Sequence, residues 1–305
     1  VVDAGNGAGG FYARDVLAPL GADIEGSQFL EPDGMFPNHI PNPENEEAMQ
    51  SICQAVLDAK ADLGVIFDTD VDRGGAVDAR GEEINRNRLV AIASAIALEG
   101  NPGGTVVTDS ITSSGLKEYI EQTLGGVHHR FKRGYKNVIN EALRLNQEGV
   151  NCPLAIETSG NPALRENYFL DDGAYLAGKL VIAVAKAKRE GKTIDHFIAN
   201  LCTEYADREV RFPILTDDFH AYGTSVLETF KKRALQSGFE LPKSYEGIRI
   251  RFSGVCTGWM LLRASLHDPV MVLNLEGHTP RVLEIITGIA QSLVEGFDKL
   301  DLSAL

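Results

Sequence analysis

The sequence predicts an α/β chain: two successive α/β domains with mixed, mostly parallel sheets, then a small antiparallel α+β domain at its C-terminal end. Three observations predict it. Apolar strand-like runs alternate with helical patterns across residues 1–205, as in sheets covered by helices. Asn101-Pro-Gly-Gly104 breaks that alternation and marks a boundary. Beyond Tyr205, strand-like runs come in quick succession between two helical patterns, which suits hairpin-linked antiparallel strands. The expected domains are therefore residues 1–102, 103–205 and 206–305.

The length of 305 residues suits two or three domains. A net charge of −14 argues against nucleic acid as the main partner, so phosphate binding would need locally gathered cations. No apolar run is long enough to span a bilayer and no signal-peptide pattern is present, so no membrane partner is expected. Cys53, Cys152, Cys202 and Cys256 are scattered, which fits a reducing, cytoplasmic setting without a disulfide framework. The opening Val1-Val-Asp-Ala-Gly-Asn-Gly7 reads like the inside of a domain, and the chain is expected to be a fragment.

Taken in order, Val1-Val2 begins a strand that runs into the glycine-rich turn Asp3-Ala-Gly-Asn-Gly-Ala-Gly-Gly10. Such a turn either presents backbone N–H groups to a phosphate or permits tight strand-to-helix packing. It lacks the Lys-Ser/Thr of a nucleotide-binding loop. Residues 31–43 are rich in proline and read as an ordered, extended connection. A helix over 44–59, a buried strand over Leu63–Phe67, a hairpin turn at Arg80-Gly81 and an amphipathic helix over 86–98 follow. The second segment reads as strand 105–108, helix 113–124 stopped by Gly125-Gly126, strand 127–131, helix 137–145 and strand 154–156. A long helix spans 175–189 with Asp171 as its N-cap, and Thr193 caps the next short helix. Strands 208–214, 247–252, 259–264 and 270–275, with helices 219–237 and 281–297, complete the last domain.

The central stretch is Gly64-Val-Ile-Phe-Asp-Thr-Asp-Val-Asp-Arg73. Asp68, Asp70 and Asp72 stand at alternate positions after a buried strand. Their charges repel one another, which a divalent cation among them relieves, and an all-oxygen set suits Mg²⁺. At the end of strand 154–156, Glu157 and Ser159 read by themselves as an ordinary strand-to-loop transition, although an acceptor and a hydroxyl side by side are also the mix that a sugar needs. Lys132-Arg133-Gly134-Tyr135-Lys136 gathers cations that suit either a phosphate or solvent. Arg263-Ala-Ser-Leu-His-Asp-Pro269 reads either as a polar hairpin or as a phosphate cup, with the planar fork of Arg263, the hydroxyl of Ser265 and a pH-dependent donor in His267.

These stretches, in this order, resemble the α-D-phosphohexomutases, the phosphoglucomutase and phosphomannomutase superfamily. Their metal loop has the form Asp-Gly-Asp-Ala/Gly-Asp-Arg; here Thr69 and Val71 replace the spacers and every charged position is kept. The resemblance implies Mg²⁺ on Asp68, Asp70 and Asp72, with Arg73 facing the phosphorylated site. It makes Glu157 and Ser159 holders of ring hydroxyls and places Arg133 and Tyr135 in a further substrate loop. Arg263, Ser265 and His267 match the loop that binds the substrate's phosphate, usually Arg-Pro-Ser-Gly-Thr-Glu-Pro. Asn161 stands where relatives often carry His. The implied activity interconverts hexose 1-phosphate and hexose 6-phosphate through a hexose 1,6-bisphosphate and a phosphoserine. The Ser-His-Asn-Pro-like setting of that serine belongs to the family's first domain. Ser110-Ile-Thr-Ser-Ser114 lacks it, so no catalytic nucleophile is assigned and these residues alone are expected to be inactive. Two other readings share part of the pattern. One is a non-catalytic sugar-phosphate binder. The other is a phosphatase with an aspartate nucleophile, resembling the haloacid dehalogenases at Asp68-x-Asp70 and at Asp171-Asp172; that family does not explain Arg263 to Pro269.

Overall fold

The computed structural model describes residues 1–265 and 268–305. They form two compact units: residues 1–112, 116–129 and 133–201 in one, and residues 113–115, 130–132 and 202–305 in the other.

The first unit opens with β1 (Val2–Asp3), and α1 (Glu46–Ala59) follows the proline-rich stretch. Strands β2 (Leu63–Phe67), β3 (Gly74–Asp78) and β4 (Glu83–Ile84) complete a sheet in the order β1-β2-β3-β4. β1 runs parallel to β2, whereas β2–β3 and β3–β4 are antiparallel hairpins. The Arg80-Gly81 turn joins the last two, with Gly81 at φ +78°. Helix α1 forms here because Asn45 caps it, accepting from the Ala48 N–H at 2.9 Å, and because Ile52 and Val56 are buried. Every residue of β2 is buried, and its alternation divides the strand between two cores. Ile66 joins Val77 and α1; Val65 and Phe67 join the larger core beyond the sheet. Gly64 interrupts the branched run because a Cβ there would lie 2.5 Å from Val56 Cγ2.

Helix α2 (Asn87–Glu99) leads to β5 (Thr105–Thr108). Next come α3 (Ser114–Glu118), β6 (Val127–Arg130) and α4 (Tyr135–Gln147). Strands β7 (Leu154–Ile156) and β8 (Pro162–Leu164) precede α5 (Gly173–Arg189). The sheet order is β6-β5-β7-β8, with β5 parallel to β7 and β7–β8 a hairpin. The expected single helix over 113–124 changes pitch: α3 continues as a wider turn, Tyr119–Thr123, closed by the Leu124 N–H on the Tyr119 carbonyl. The cap of α5 is Asp172 and not Asp171. Asp172 accepts from the Tyr175 N–H at 2.8 Å, while Asp171 bridges back to Ala163 in β8. Thr193 precedes the short helix Ile194–Ile198, but its hydroxyl makes no capping bond and donates to Asp195 instead.

The second unit contains β9 (Ala206–Pro213), α6 (Phe219–Gln236), β10 (Ile248–Phe252), β11 (Gly258–Ala264), β12 (Val270–Gly277) and α7 (Pro280–Val294). Its sheet is antiparallel throughout, in the order β10-β11-β12-β9. Alternate residues such as Ile250, Met260, Leu262 and Leu273 pack with Phe230 of α6 and Ile286 of α7 into one core. Among the described residues no helix is long and apolar enough to cross a membrane.

The proline-rich stretch owes its order to a buried pair. His39 Nε2 lies 3.1 Å from both carboxylate oxygens of Asp3, and Nδ1 lies 3.1 Å from the Ile40 carbonyl. Both ring nitrogens face acceptors, an arrangement that favours the doubly protonated ring. The Asp3 bond pushes the His39 pKa up, and Ile40 adds to it against the opposing effect of burial. The folded state thus keeps a proton that the unfolded chain loses near the ordinary value of 6.5. This stabilisation is complete below that value and is lost as pH rises through the folded pKa. As pH rises above the ordinary histidine value of 6.5, urea unfolding should show wild type losing more stability than His39→Gln. Parallel curves for the two proteins would refute the imidazolium.

Candidate metal and sugar site

The register Phe67↔Gly74 makes residues 68–73 the loop of the β2–β3 hairpin. Asp68, Asp70 and Asp72 there each offer a carboxylate oxygen, and the three oxygens lie within 4.8 Å of one another. Asp68 is buried, Asp72 partly buried and Asp70 exposed. Burial, reinforced by the neighbouring Asp68, pushes the Asp72 pKa upward. An all-oxygen set crowded in this way fits a hard divalent cation, which would relieve the repulsion. The loop closes through Val71 at φ +72°, a strained conformation for a branched side chain. Val71 is nevertheless buried in the core, and its carbonyl accepts from the Gly173 N–H at 3.0 Å.

Arg73 is turned onto the same cluster. Its backbone N–H and Nε donate to the two Asp68 oxygens at 3.1 and 3.0 Å. Its Nη1 donates to Asn42 Oδ1 at 3.1 Å. Asn42 comes from the proline-rich stretch, and in the sequence its only signal is a place between two prolines.

The β7–β8 loop, residues 157–161, lies against this hairpin. The Gly74 N–H donates to the Gly160 carbonyl at 3.0 Å. Gly160 has φ +92°, and a Cβ on it would sit 2.5 Å from the Gly74 oxygen. Asp109, at the end of β5, anchors the loop from beneath, accepting from the Thr158 N–H at 2.8 Å and its hydroxyl at 2.6 Å. Glu157 is 5% exposed and accepts from the Gly134 N–H at 2.7 Å. Burial raises its pKa to about 7, and the Asp109 charge adds to the rise. That bond also brings Arg133-Gly134-Tyr135-Lys136 to the loop. Tyr135 opens α4, exposed, with Lys136 Nζ 5.7 Å from its ring centre, and Arg133 is half-buried beside Gly134. Ser159 donates its hydroxyl to Asn161 Oδ1 at 2.9 Å. Asp171, raised to about 6 by burial with the Asp68 and Asp70 charges adding, accepts from Asn161.

In the second unit Arg263 lies inside β11, one residue before its end, and not in the connecting loop. It is buried, with Nη1 3.7 Å from Glu246. Ser265 lies just beyond the strand, its N–H on the Val270 carbonyl and its Oγ accepting from the Asp268 N–H at 3.3 Å. His267 lies outside the described residues.

Residues 1–81 match a family profile described as phosphoglucomutase/phosphomannomutase, alpha/beta/alpha domain II, and residues 85–205 match domain III of the same family. A phosphomannomutase/phosphoglucomutase of Pseudomonas syringae is 32% identical over 290 residues, covering 95% of this chain and 58% of that protein. A phosphoglucomutase of Neisseria gonorrhoeae is 28% identical over 295 residues, covering 96% and 60%. The chain therefore spans about three fifths of these relatives' length. The crystal structure of a phosphoglucomutase/phosphomannomutase family protein from Burkholderia thailandensis is 26% identical and gives a TM-score of 0.81 over 97% of this chain and 60% of that one. An N-acetylphosphoglucosamine mutase of Aspergillus fumigatus, solved with GlcNAc-6P and magnesium, is 15% identical and shares the fold at a TM-score of 0.59 over 96% and 65%.

Proposed function

Because the chain belongs to the phosphoglucomutase/phosphomannomutase family, we propose that it supplies the metal and sugar sites of a phosphohexomutase that interconverts hexose 1-phosphate and hexose 6-phosphate through the 1,6-bisphosphate. The observation that carries this reading is the joining of the Asp68–Asp72 hairpin to the Glu157–Ser159 hairpin by the Gly74–Gly160 bond of 3.0 Å. One offers a cation site and the other offers hydroxyl recognition, and they are held side by side.

In this reading Asp68, Asp70 and Asp72 hold Mg²⁺, which when bound offsets negative charge where a phosphoryl group approaches. Arg73 turns its guanidinium toward that phosphate while Asn42 and Asp68 fix its plane. Glu157 and Ser159 orient the sugar ring through its hydroxyls, and Arg133 and Tyr135 border it. Arg263, Ser265 and His267 bind a phosphate group. The reading divides the chain at residues 1–102, 103–205 and 206–305 and assigns the phosphate-carrying serine to no residue among them. The scattered free cysteines support a cytoplasmic setting.

Titration calorimetry with glucose 1-phosphate and mannose 1-phosphate tests the reading. The chain should bind one or both, and Glu157→Ala should weaken binding about tenfold, the loss of a hydrogen bond to a charged group. With its pKa near 7, the Glu157 carboxyl changes from acid to carboxylate between about pH 6 and 8, so wild-type affinity should change over that interval. In Glu157→Gln that dependence should vanish. Failure of wild type to bind either sugar phosphate would overturn the assignment.

A further inference from the structure

Asn161 sits between two partners with opposite demands. Its Nδ2 lies 3.2 and 3.4 Å from the two oxygens of Asp171, and its Oδ1 accepts the Ser159 hydroxyl at 2.9 Å. A carboxylate only accepts, so turning the amide over would set its oxygen against Asp171 and break the Ser159 bond as well. The orientation of the amide is therefore dictated by Asp171. Asp171 is fixed in turn by its backbone bridge to Ala163 in β8 and by its neighbour Asp172, which caps α5.

The consequence falls on Ser159. Its only proton is given to Asn161, so what the hydroxyl offers a ligand is its lone pairs. We propose that Asp171 is a positioning residue that, through the Asn161 amide, makes Ser159 a hydrogen-bond acceptor, so that this point of the site takes a sugar hydroxyl and rejects a phosphate oxygen. A hydroxyl can donate to Ser159. An ionised phosphate oxygen has no proton to give and meets lone pairs instead. The inference rests on the hexose-phosphate reading for its ligand, but not for the relay itself.

Two measurements test it on the whole chain. The first is a thermodynamic cycle over Asp171→Asn and Ser159→Ala, read by calorimetry with glucose 1-phosphate and with sulfate, a tetrahedral dianion of phosphate shape whose oxygens carry no proton at neutral pH. Asn at 171 keeps the shape but offers a donor as well as an acceptor, so the Asn161 amide can turn and release the Ser159 proton. Asp171→Asn should weaken glucose 1-phosphate binding about fivefold while sulfate binding holds or strengthens, and should add nothing in the Ser159→Ala background. An equal loss in that background would show that Asp171 acts by its charge or through the fold, and would overturn the proposal. The second measurement needs no ligand. The Asn161 side-chain amide signals in the NMR spectrum should move in both single variants, because each removes one end of the relay. Signals unmoved by either substitution refute the relay, whether or not a sugar phosphate binds. If wild type binds no sugar phosphate while the amide signals do respond, the relay stands, and the hexose reading and the hydroxyl preference fall.

Discussion

Asp70→Asn should lower Mg²⁺ affinity by about tenfold to a hundredfold, since it removes one of the three charges that would face the cation. Asp70 is the informative position. It is exposed and, among the described residues, makes no hydrogen bond, so neutralising it leaves the hairpin intact. Asp68 would be a poorer choice, because both its oxygens hold Arg73. The affinity can be read by calorimetry. As a second readout, saturating Mg²⁺ should raise the thermal midpoint of wild type and leave that of Asp70→Asn nearly unmoved, since a ligand stabilises only the state that binds it. Equal affinity in the two proteins would remove the metal from these carboxylates.

Gly160→Ala should destabilise the first unit by about 3 kcal/mol, combining left-handed backbone strain with a steric clash. The clash is with backbone: the new Cβ would lie 2.5 Å from the Gly74 carbonyl oxygen, which no rotamer change relieves. Gly149 provides the comparison. It has φ +83°, close to that of Gly160, but a Cβ there meets nothing within 4 Å. Gly149→Ala should therefore cost only about 1 kcal/mol, the backbone part alone. Denaturant unfolding of both variants separates the two contributions. Equal losses would mean that the two hairpins are not pressed together at Gly160. The same logic applies at Gly173, where a Cβ would lie 2.6 Å from the Arg73 carbonyl carbon. The Asp68–Asp72 hairpin is thus packed between two glycines contributed by the next sheet and its helix.

Much of this was legible in the chain itself, and the reason is locality. Strand β2 is an uninterrupted apolar run, and the helices repeat apolar residues at helical spacing, so their places follow from neighbours in sequence. The aspartates stand at alternate positions in one short loop, so their crowding is a local property too. What stayed hidden depends on partners far along the chain. Asp3 and His39, 36 residues apart, read in the sequence as parts of two unrelated polar loops. Asp109 reads as an ordinary residue after a strand until Thr158, 49 positions later, is seen on its carboxylate.

The sequence by itself determined which residue types stand at the ends of the strands: the Asp68–Asp72 trio after β2 and Glu157 to Ser159 after β7. Side-chain order along an extended run follows directly from the order of residues. Only the tertiary structure decided that these two loops touch, that Asp172 and not Asp171 caps α5, and that Asp171 is thereby left for Asn161. Adjacent aspartates are equivalent by composition. What separates them is the bridge from Asp171 to Ala163, and such a bridge exists only once β8 has folded back along β7.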